Sequence, residues 1–193
     1  MNGDEQPGKQ RDETDTLLLV TRLRDKDTQA AAELQRLYRD VLLRFCWGYL
    51  GRMEEAEDAV QDIACKVLAS HEIPAADQFR PWLYKVARNH CLNLLRERAT
   101  RKDRQALPSA SQMADALTGH LTKLVREELR SRLADLVQTL ADSQREVLRL
   151  RYVEDLSRAE IAQVLDIPES VVKSRLFEGL QKLRESATNL EQT

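Results

Sequence analysis

The sequence predicts an all-α protein made of two small helical domains joined by a flexible linker. Three observations carry that prediction. Leu, Ala, Glu, Arg and Gln dominate the 193 residues, while Gly and Pro supply only 6 and 5, a mixture that favours helix. Apolar residues recur at helical spacing in one segment after another, and nothing alternates as a strand does. Between Ala99 and Gly119 the stripe dissolves into Pro108, Ser109, Ser111, Thr118 and Gly119, the composition of a linker.

Taken in order, residues 1–15 read as a disordered tail, charged and interrupted by Gly3, Pro7 and Gly8. The first domain, 16–98, opens with a helical pattern over Thr16 to Leu23. A cap at Asp27 or Thr28 introduces a second stripe, Leu34, Leu37, Tyr38, Val41, Leu42, Phe45, Cys46 and Tyr49, which Gly51 ends. The next helix begins among Glu54, Glu55, Glu57 and Asp58, acids that suit the positive end of a helix dipole. Its apolar side is Ala56, Ala59, Val60, Ile63, Ala64 and Val67. A break from Ser70 to Asp77 contains Pro74. A fourth helix runs from about Arg80 to Arg98 with Leu83, Val86, Ala87 and Leu94 inward.

The linker occupies 99–120 and the second domain 121–185, with a short tail at 186–193. The second domain starts with a helix near Leu121 to Leu140. Ser143-Gln144-Arg145-Glu146 and Ser157-Arg158-Ala159-Glu160 both have the spacing of a capping box. Asp166-Ile167-Pro168 makes a turn, and a last helix runs to about Arg184 with Val172, Leu176, Leu180 and Leu183 inside.

Composition narrows the function classes. The 30 basic and 32 acidic residues give a net charge of -2, which argues against a protein held on DNA by its overall charge and leaves room for local patches. No apolar run reaches bilayer length and Met1 to Thr16 is polar, so a cytoplasmic protein is expected. Cys46, Cys65 and Cys91 form no CxxC pair and read as small buried hydrophobes. His71, His90 and His120 have no ligand spacing, so neither a metal nor a cofactor is implied.

Two segments point to nucleic acid. A short capped helix, a tight turn and a longer helix with Lys173, Ser174 and Arg175 near its start form a helix-turn-helix pattern. The second helix of such a pair fits the major groove, and its first turn reaches base edges. An ordinary helical hairpin with a solvated basic face has the same spacing. The other segment, Arg80 to Arg104, holds eight basic and two acidic residues interleaved with Phe79, Trp82 and Tyr84. Cations that follow a backbone and rings that stack on bases make a single-strand surface. Phe79 reads better as core, and for Trp82 core and stacking readings stand level. The acidic stretch Glu54 to Asp62 would repel DNA and suits a basic protein partner.

Glu55-Ala56-Glu57-Asp58-Ala59-Val60-Gln61-Asp62 resembles the DAEDLVQE stretch of extracytoplasmic-function (ECF) sigma factors of the sigma-70 family. Phe79 to Asn89 resembles their F-x-x-WLY-x-IARN stretch. Leu140 to Val147, Leu156 to Ala162 and Ile167 to Leu176 resemble their LPxxQREV, LSxxEIA and IPxxxVKSRL segments. The resemblance implies a factor that binds core RNA polymerase and directs promoter-specific initiation, commonly restrained by an anti-sigma factor. It implies polymerase binding through Asp58, Gln61 and Asp62. Trp82, Tyr84, Lys85, Arg88, Asn89 and Arg96 would melt and read the downstream promoter element, with the loop Ser70 to Gln78 cradling a flipped base. Ser170, Val171, Lys173, Ser174, Arg175 and Glu178 would read the upstream element. No catalytic residue is implied.

Asn93, Asp166, Ser170-Val171, Glu178 and Leu180 depart from the family pattern. Asp166 replaces a usual Gly and can still take a left-handed conformation. The recognition helix is less basic than is typical, which points to an unusual promoter sequence. A conventional helix-turn-helix regulator with a dimerising N-terminal bundle is the alternative; it would bind duplex DNA without polymerase. A helical-bundle hydrolase would need carboxylates with Glu-x-x-His pairs inside the bundle, and none occurs.

Overall fold

The computed structural model describes residues 7–100, 137 and 139–191. The expected linker, 99–120, and the helix expected over 121–140 lie almost entirely outside the described residues. Seven helices run through the described residues. α1 is Pro7–Arg24, α2 Ala30–Leu50, α3 Met53–Ala69, α4 Ala76–Thr100, α5 Asp142–Tyr152, α6 Arg158–Leu165 and α7 Glu169–Glu191. Helix extends beyond the domain limits read from the sequence: α1 begins at Pro7, where proline suits a helix start, and α7 continues to Glu191.

α1 to α4 pack around one core. Leu34, Tyr38, Leu42, Phe45, Cys46 and Tyr49 of α2 face Ala56, Ala59, Ile63 and Val67 of α3, where the alanines let the helices approach closely. Phe79, Leu83, Tyr84, Ala87 and Cys91 of α4 and Leu19, Val20 and Leu23 of α1 complete it. The α2–α3 turn follows from Gly51, whose φ of 76° is left-handed and whose N–H donates to the Trp47 carbonyl. The cap expected at Asp27 or Thr28 does not form: α2 begins at Ala30 with Gln29 at its cap position and no side-chain cap bond. Asp27 instead accepts from the Gln29 N–H at 2.8 Å in the turn before it. The α3–α4 loop is tied to α1 and its following turn. Arg24 donates twice to the Ile73 carbonyl, and Lys26 donates to the carbonyls of Leu68 and Ser70.

α4 starts a turn earlier than its apolar stripe suggests, at Ala76, and contains Pro81. Pro81 is the sixth residue of α4 and has no N–H to give the Asp77 carbonyl, so the helix lacks one ladder bond just past its first turn. Cys46 and Cys91 are buried as expected, but Cys65 lies on the exposed side of α3.

α5 to α7 form the second core from Val147, Leu148, Leu150, Leu156, Ile161, Val164, Val172 and Leu176. The capping box at Ser157 forms completely: Ser157 Oγ accepts from the Glu160 N–H at 3.2 Å, and Glu160 Oε2 accepts from the Ser157 N–H at 2.7 Å. The one expected at Ser143 does not. α5 begins at Asp142 with Ala141 as its cap, and alanine has no hydroxyl. Only a glutamine half forms, Gln144 Oε1 accepting from the Ala141 N–H. Asp166 takes the left-handed conformation, φ 58°, that its place after α6 requires.

Leu180 is 39% exposed rather than inside. Gly179 takes the inward position, where an added Cβ would meet Leu148 Cδ1 at 2.9 Å, so α5 and α7 pack too closely for a larger residue. The two cores also meet each other, since α4 lies along α6.

Candidate nucleic-acid interface

Asp58, Gln61 and Asp62 all face outward on α3, opposite its alanine-rich stripe. Gln61 lines a groove of about 430 Å³ between α2 and α3 with Leu34, Leu42, Val60, Ala64 and Leu68. Behind Asp62 lies the buried His90. Lys66 Nζ stands 2.6 Å from its Nδ1, and Asp62 Oδ2 stands 3.3 Å from its Nε2 without hydrogen-bond alignment. Burial, then the Lys66 ammonium, hold His90 below its ordinary pKa against the pull of Asp62. The neutral ring therefore accepts the Lys66 proton at Nδ1. The acidic face of α3 is open on its outer side.

α4 carries the second group. Phe79 is buried, as the pattern suggested, with its ring 5.6 Å from Trp82. Trp82 is half-buried, and Asn89 and Arg96 are exposed, Arg96 donating to Asn93 Oδ1 at 2.6 Å. Tyr84, Lys85 and Arg88 are engaged by the second domain. The Tyr84 ring stands edge-on to Phe45 at 5.0 Å, and its hydroxyl donates to Glu154 Oε2 at 3.0 Å. Arg88 makes a two-pronged pair with Glu146, Nε to Oε1 at 2.7 Å and Nη2 to Oε2 at 3.2 Å. Lys85 Nζ lies 3.5 Å from Asp166 Oδ1. Burial works against the Arg88 charge, but Glu146 outweighs it and raises the pKa. The Glu154 carboxyl is raised above its ordinary range by burial, opposed first by Arg149.

In the third group, Ser170, Lys173 and Ser174 are exposed, and Val171 and Arg175 are half-buried on α7. Glu178 is exposed but occupied: Ser174 Oγ donates to its Oε1 and Gln144 Nε2 to its Oε2, both at 3.1 Å. Phe177 is 68% exposed and was passed over in the sequence. Its signal was its register, seven residues after Ser170 and three after Ser174, on the same helix face. An exposed ring there can contact a thymine methyl group.

Residues 34–101 match the family model Sigma-70 region 2, and residues 130–183 match Sigma-70, region 4. The ECF RNA polymerase sigma factor SigW of Bacillus subtilis is 28% identical over 182 residues, covering 89% of this chain and 96% of SigW. SigL of Mycobacterium tuberculosis, another ECF sigma factor, is 30% identical over 166 residues, covering 80% of this chain and 88% of SigL. The fold is similar to that of CnrH, solved in complex with the cytosolic domain of CnrY. The TM-score is 0.62 at 20% identity, over 91% of this chain and 98% of CnrH. With both sigma-70 regions in order and relatives matched over most of their length, the chain belongs to the ECF RNA polymerase sigma factors.

Proposed function

We propose that the first domain, 16–98, docks on core RNA polymerase through Asp58, Gln61 and Asp62 and melts the downstream promoter element with α4. The second domain, 121–185, then sets the start of α7 in the upstream element, with Ser170, Val171, Lys173, Ser174, Arg175 and Glu178 toward DNA. The observation that carries this reading is the division of charge in the first domain: the outer face of α3 is acidic, whereas α4 carries Arg80, Lys85, Arg88 and Arg96. One surface suits a basic protein and the other a phosphate backbone.

Trp82, Asn89 and Arg96 are the members of the α4 group left accessible to a strand. Trp82 supplies a stacking face and the arginine a backbone contact. No covalent chemistry is involved; the work is the unstacking of bases, a few kcal/mol per step, offset by stacking and phosphate contacts. The loop 70–78, pinned by Arg24 and Lys26, is the place for a flipped base.

The protein acts in the cytoplasm, a reading supported by its likeness to other RNA polymerase sigma factors. Among the described residues no helix is long and apolar enough to cross a membrane. An anti-sigma factor restrains it, a reading supported by the similarity to CnrH, which was solved with the cytosolic domain of CnrY.

Transcription by core polymerase from duplex and pre-melted templates tests the assignment. Asp58→Lys with Asp62→Lys is expected to abolish it on both templates at normal helical content. Trp82→Ala is expected to impair the duplex template far more than the bubble. Equal loss on both templates for Trp82→Ala would mark the residue as core, and full activity of the charge reversal would remove α3 as the docking face.

A further inference from the structure

Glu178 is an acid on the exposed side of α7, and its carboxylate is held from behind by another helix. Gln144, on α5, is a buried polar side chain, 7% exposed, with both ends of its amide in use. Its Oε1 accepts from the Ala141 N–H at 3.3 Å, at the start of α5, and its Nε2 donates to Glu178 Oε2 at 3.1 Å. The first bond fixes the second. Turning the amide over would set its NH2 against the Ala141 N–H, donor to donor, so the group at position 178 has to accept. Ser174, one turn before Glu178, donates its hydroxyl to Oε1 at 3.1 Å. Among the described residues no cation pairs with Glu178, so an ordinary surface ion pair with Lys182 does not account for it.

The close approach of α5 and α7 makes this relay possible. A Cβ on Gly179 would stand 3.5 Å from Gln144 Cβ as well as 2.9 Å from Leu148 Cδ1, so a bare glycine backbone is what lets Gln144 reach the next residue along. The consequence for recognition is a matter of donors and acceptors. A serine hydroxyl ordinarily serves as either, but here its one proton is committed to Glu178, which leaves Ser174 with lone pairs only. The ionised Glu178 has no proton to give, and each of its oxygens keeps a free lone-pair site beside the bond it already accepts. Side by side on the exposed face of α7, the two residues form a patch that only accepts. In the major groove guanine shows acceptors at N7 and O6, and thymine an acceptor at O4. Adenine shows an acceptor at N7 beside its N6 amino group, and cytosine shows its N4 amino group alone. A carboxylate fits the cytosine edge and meets a repelling acceptor on each of the others.

We infer, resting on the reading of α7 as the helix that enters the upstream element, that Gln144 is a positioning residue for promoter choice. Through Glu178 it makes Ser174 and Glu178 an acceptor-only pair. Glu178 selects a cytosine at one position of the upstream element, and Ser174 selects a base with an amino group, cytosine or adenine, beside it. Gln144 is buried between α5 and α7, so it acts through Glu178 and not on a base.

The test is transcription by core polymerase with the full chain on templates whose upstream element is randomised, followed by sequencing of the templates that are transcribed. The readout is the ratio of bases at each position, which a loss of folding or of overall activity leaves unchanged. Wild type is expected to favour cytosine about tenfold over thymine at one position. Gln144→Met keeps the volume and removes both bonds of the amide. It is expected to lower that ratio severalfold and to relax the neighbouring position, because the Ser174 proton is free again. Glu178→Gln still accepts from Gln144 but turns an NH2 toward the groove. It is expected to exchange cytosine for adenine, whose N7 and N6 match a carboxamide. Ser174→Ala is expected to relax the neighbouring position alone.

An unchanged cytosine ratio in Gln144→Met would overturn the positioning role. A wild-type upstream preference without cytosine, or cytosine kept by Glu178→Gln, would overturn the acceptor pair and leave α7 standing as the reading helix. No upstream preference of any kind, in wild type and in Arg175→Ala alike, would instead remove α7 from the promoter, and the role of Gln144 with it.

Discussion

The backbone carbonyl of Phe45, in the middle of α2, accepts a 2.7 Å hydrogen bond from the guanidinium of Arg149, in the middle of α5. This one bond joins the cores of two domains that are remote in sequence. It places a cation among aromatic rings where neither domain alone could keep it dry.

Arg149→Met keeps most of the side-chain volume and removes the charge, leaving Glu154 buried without its nearest cation. Breaking a buried pair in this way costs about 3–5 kcal/mol, and loss of the ring contact adds to it. Denaturant unfolding of the full chain is expected to lose that cooperativity, with a lowered midpoint or two separate transitions. Arg149→Lys is expected to rescue only part, since an ammonium cannot spread over both rings while donating to Phe45. An unchanged single transition in Arg149→Met would show that the bond does not couple the domains.

Upstream promoter choice offers a second check. Arg175→Ala is expected to weaken all promoters, by about 1–3 kcal/mol if the side chain pairs with a base. Both oxygens of Glu178 are held by Ser174 and Gln144, so the residue positions Ser174 as well as facing the groove. Glu178→Arg frees Ser174 and adds a cation, and is expected to change which upstream sequences are used. Selection from a randomised upstream element measures both effects. The same sequence preference in wild type and Glu178→Arg would remove the residue from the interface.

His90 makes the first domain sensitive to acid. Burial and Lys66 hold its pKa below the ordinary imidazole value, so between the two values the unfolded chain binds more protons than the folded one. Stability is therefore complete above about pH 6.5 and declines as pH falls through the window beneath it. Urea midpoints measured from about pH 7 down to about pH 5.5 are expected to fall for the wild type. His90→Gln, which can still accept from Lys66, should flatten that part of the profile. Parallel profiles for the two proteins would show that His90 does not set the acid response.

Much of the helical framework was readable because its signals are local. The stripe of α2, the left-handed Gly51 and the Ser157–Glu160 box each depend on neighbours within a turn, and each forms as its spacing requires. Two of the readings that differ turned on partners elsewhere in the chain. Leu180 faces outward because Leu148, on another helix, leaves room only for Gly179. Glu178 could be placed on the recognition helix from its number, but Gln144 decides where its carboxylate points.

The sequence by itself determined the helical class, the family and the chemistry of the two charged faces, because periodicity, capping and charge are properties of neighbouring residues. Tertiary structure decided what those faces touch. Tyr84 and Arg88 were legible as an aromatic and a cation suited to DNA, yet their hydrogen bonds go to Glu154 and Glu146, 70 and 58 residues away. No local pattern encodes such a pairing. It arises where two independently stable surfaces meet and buried charges must find partners.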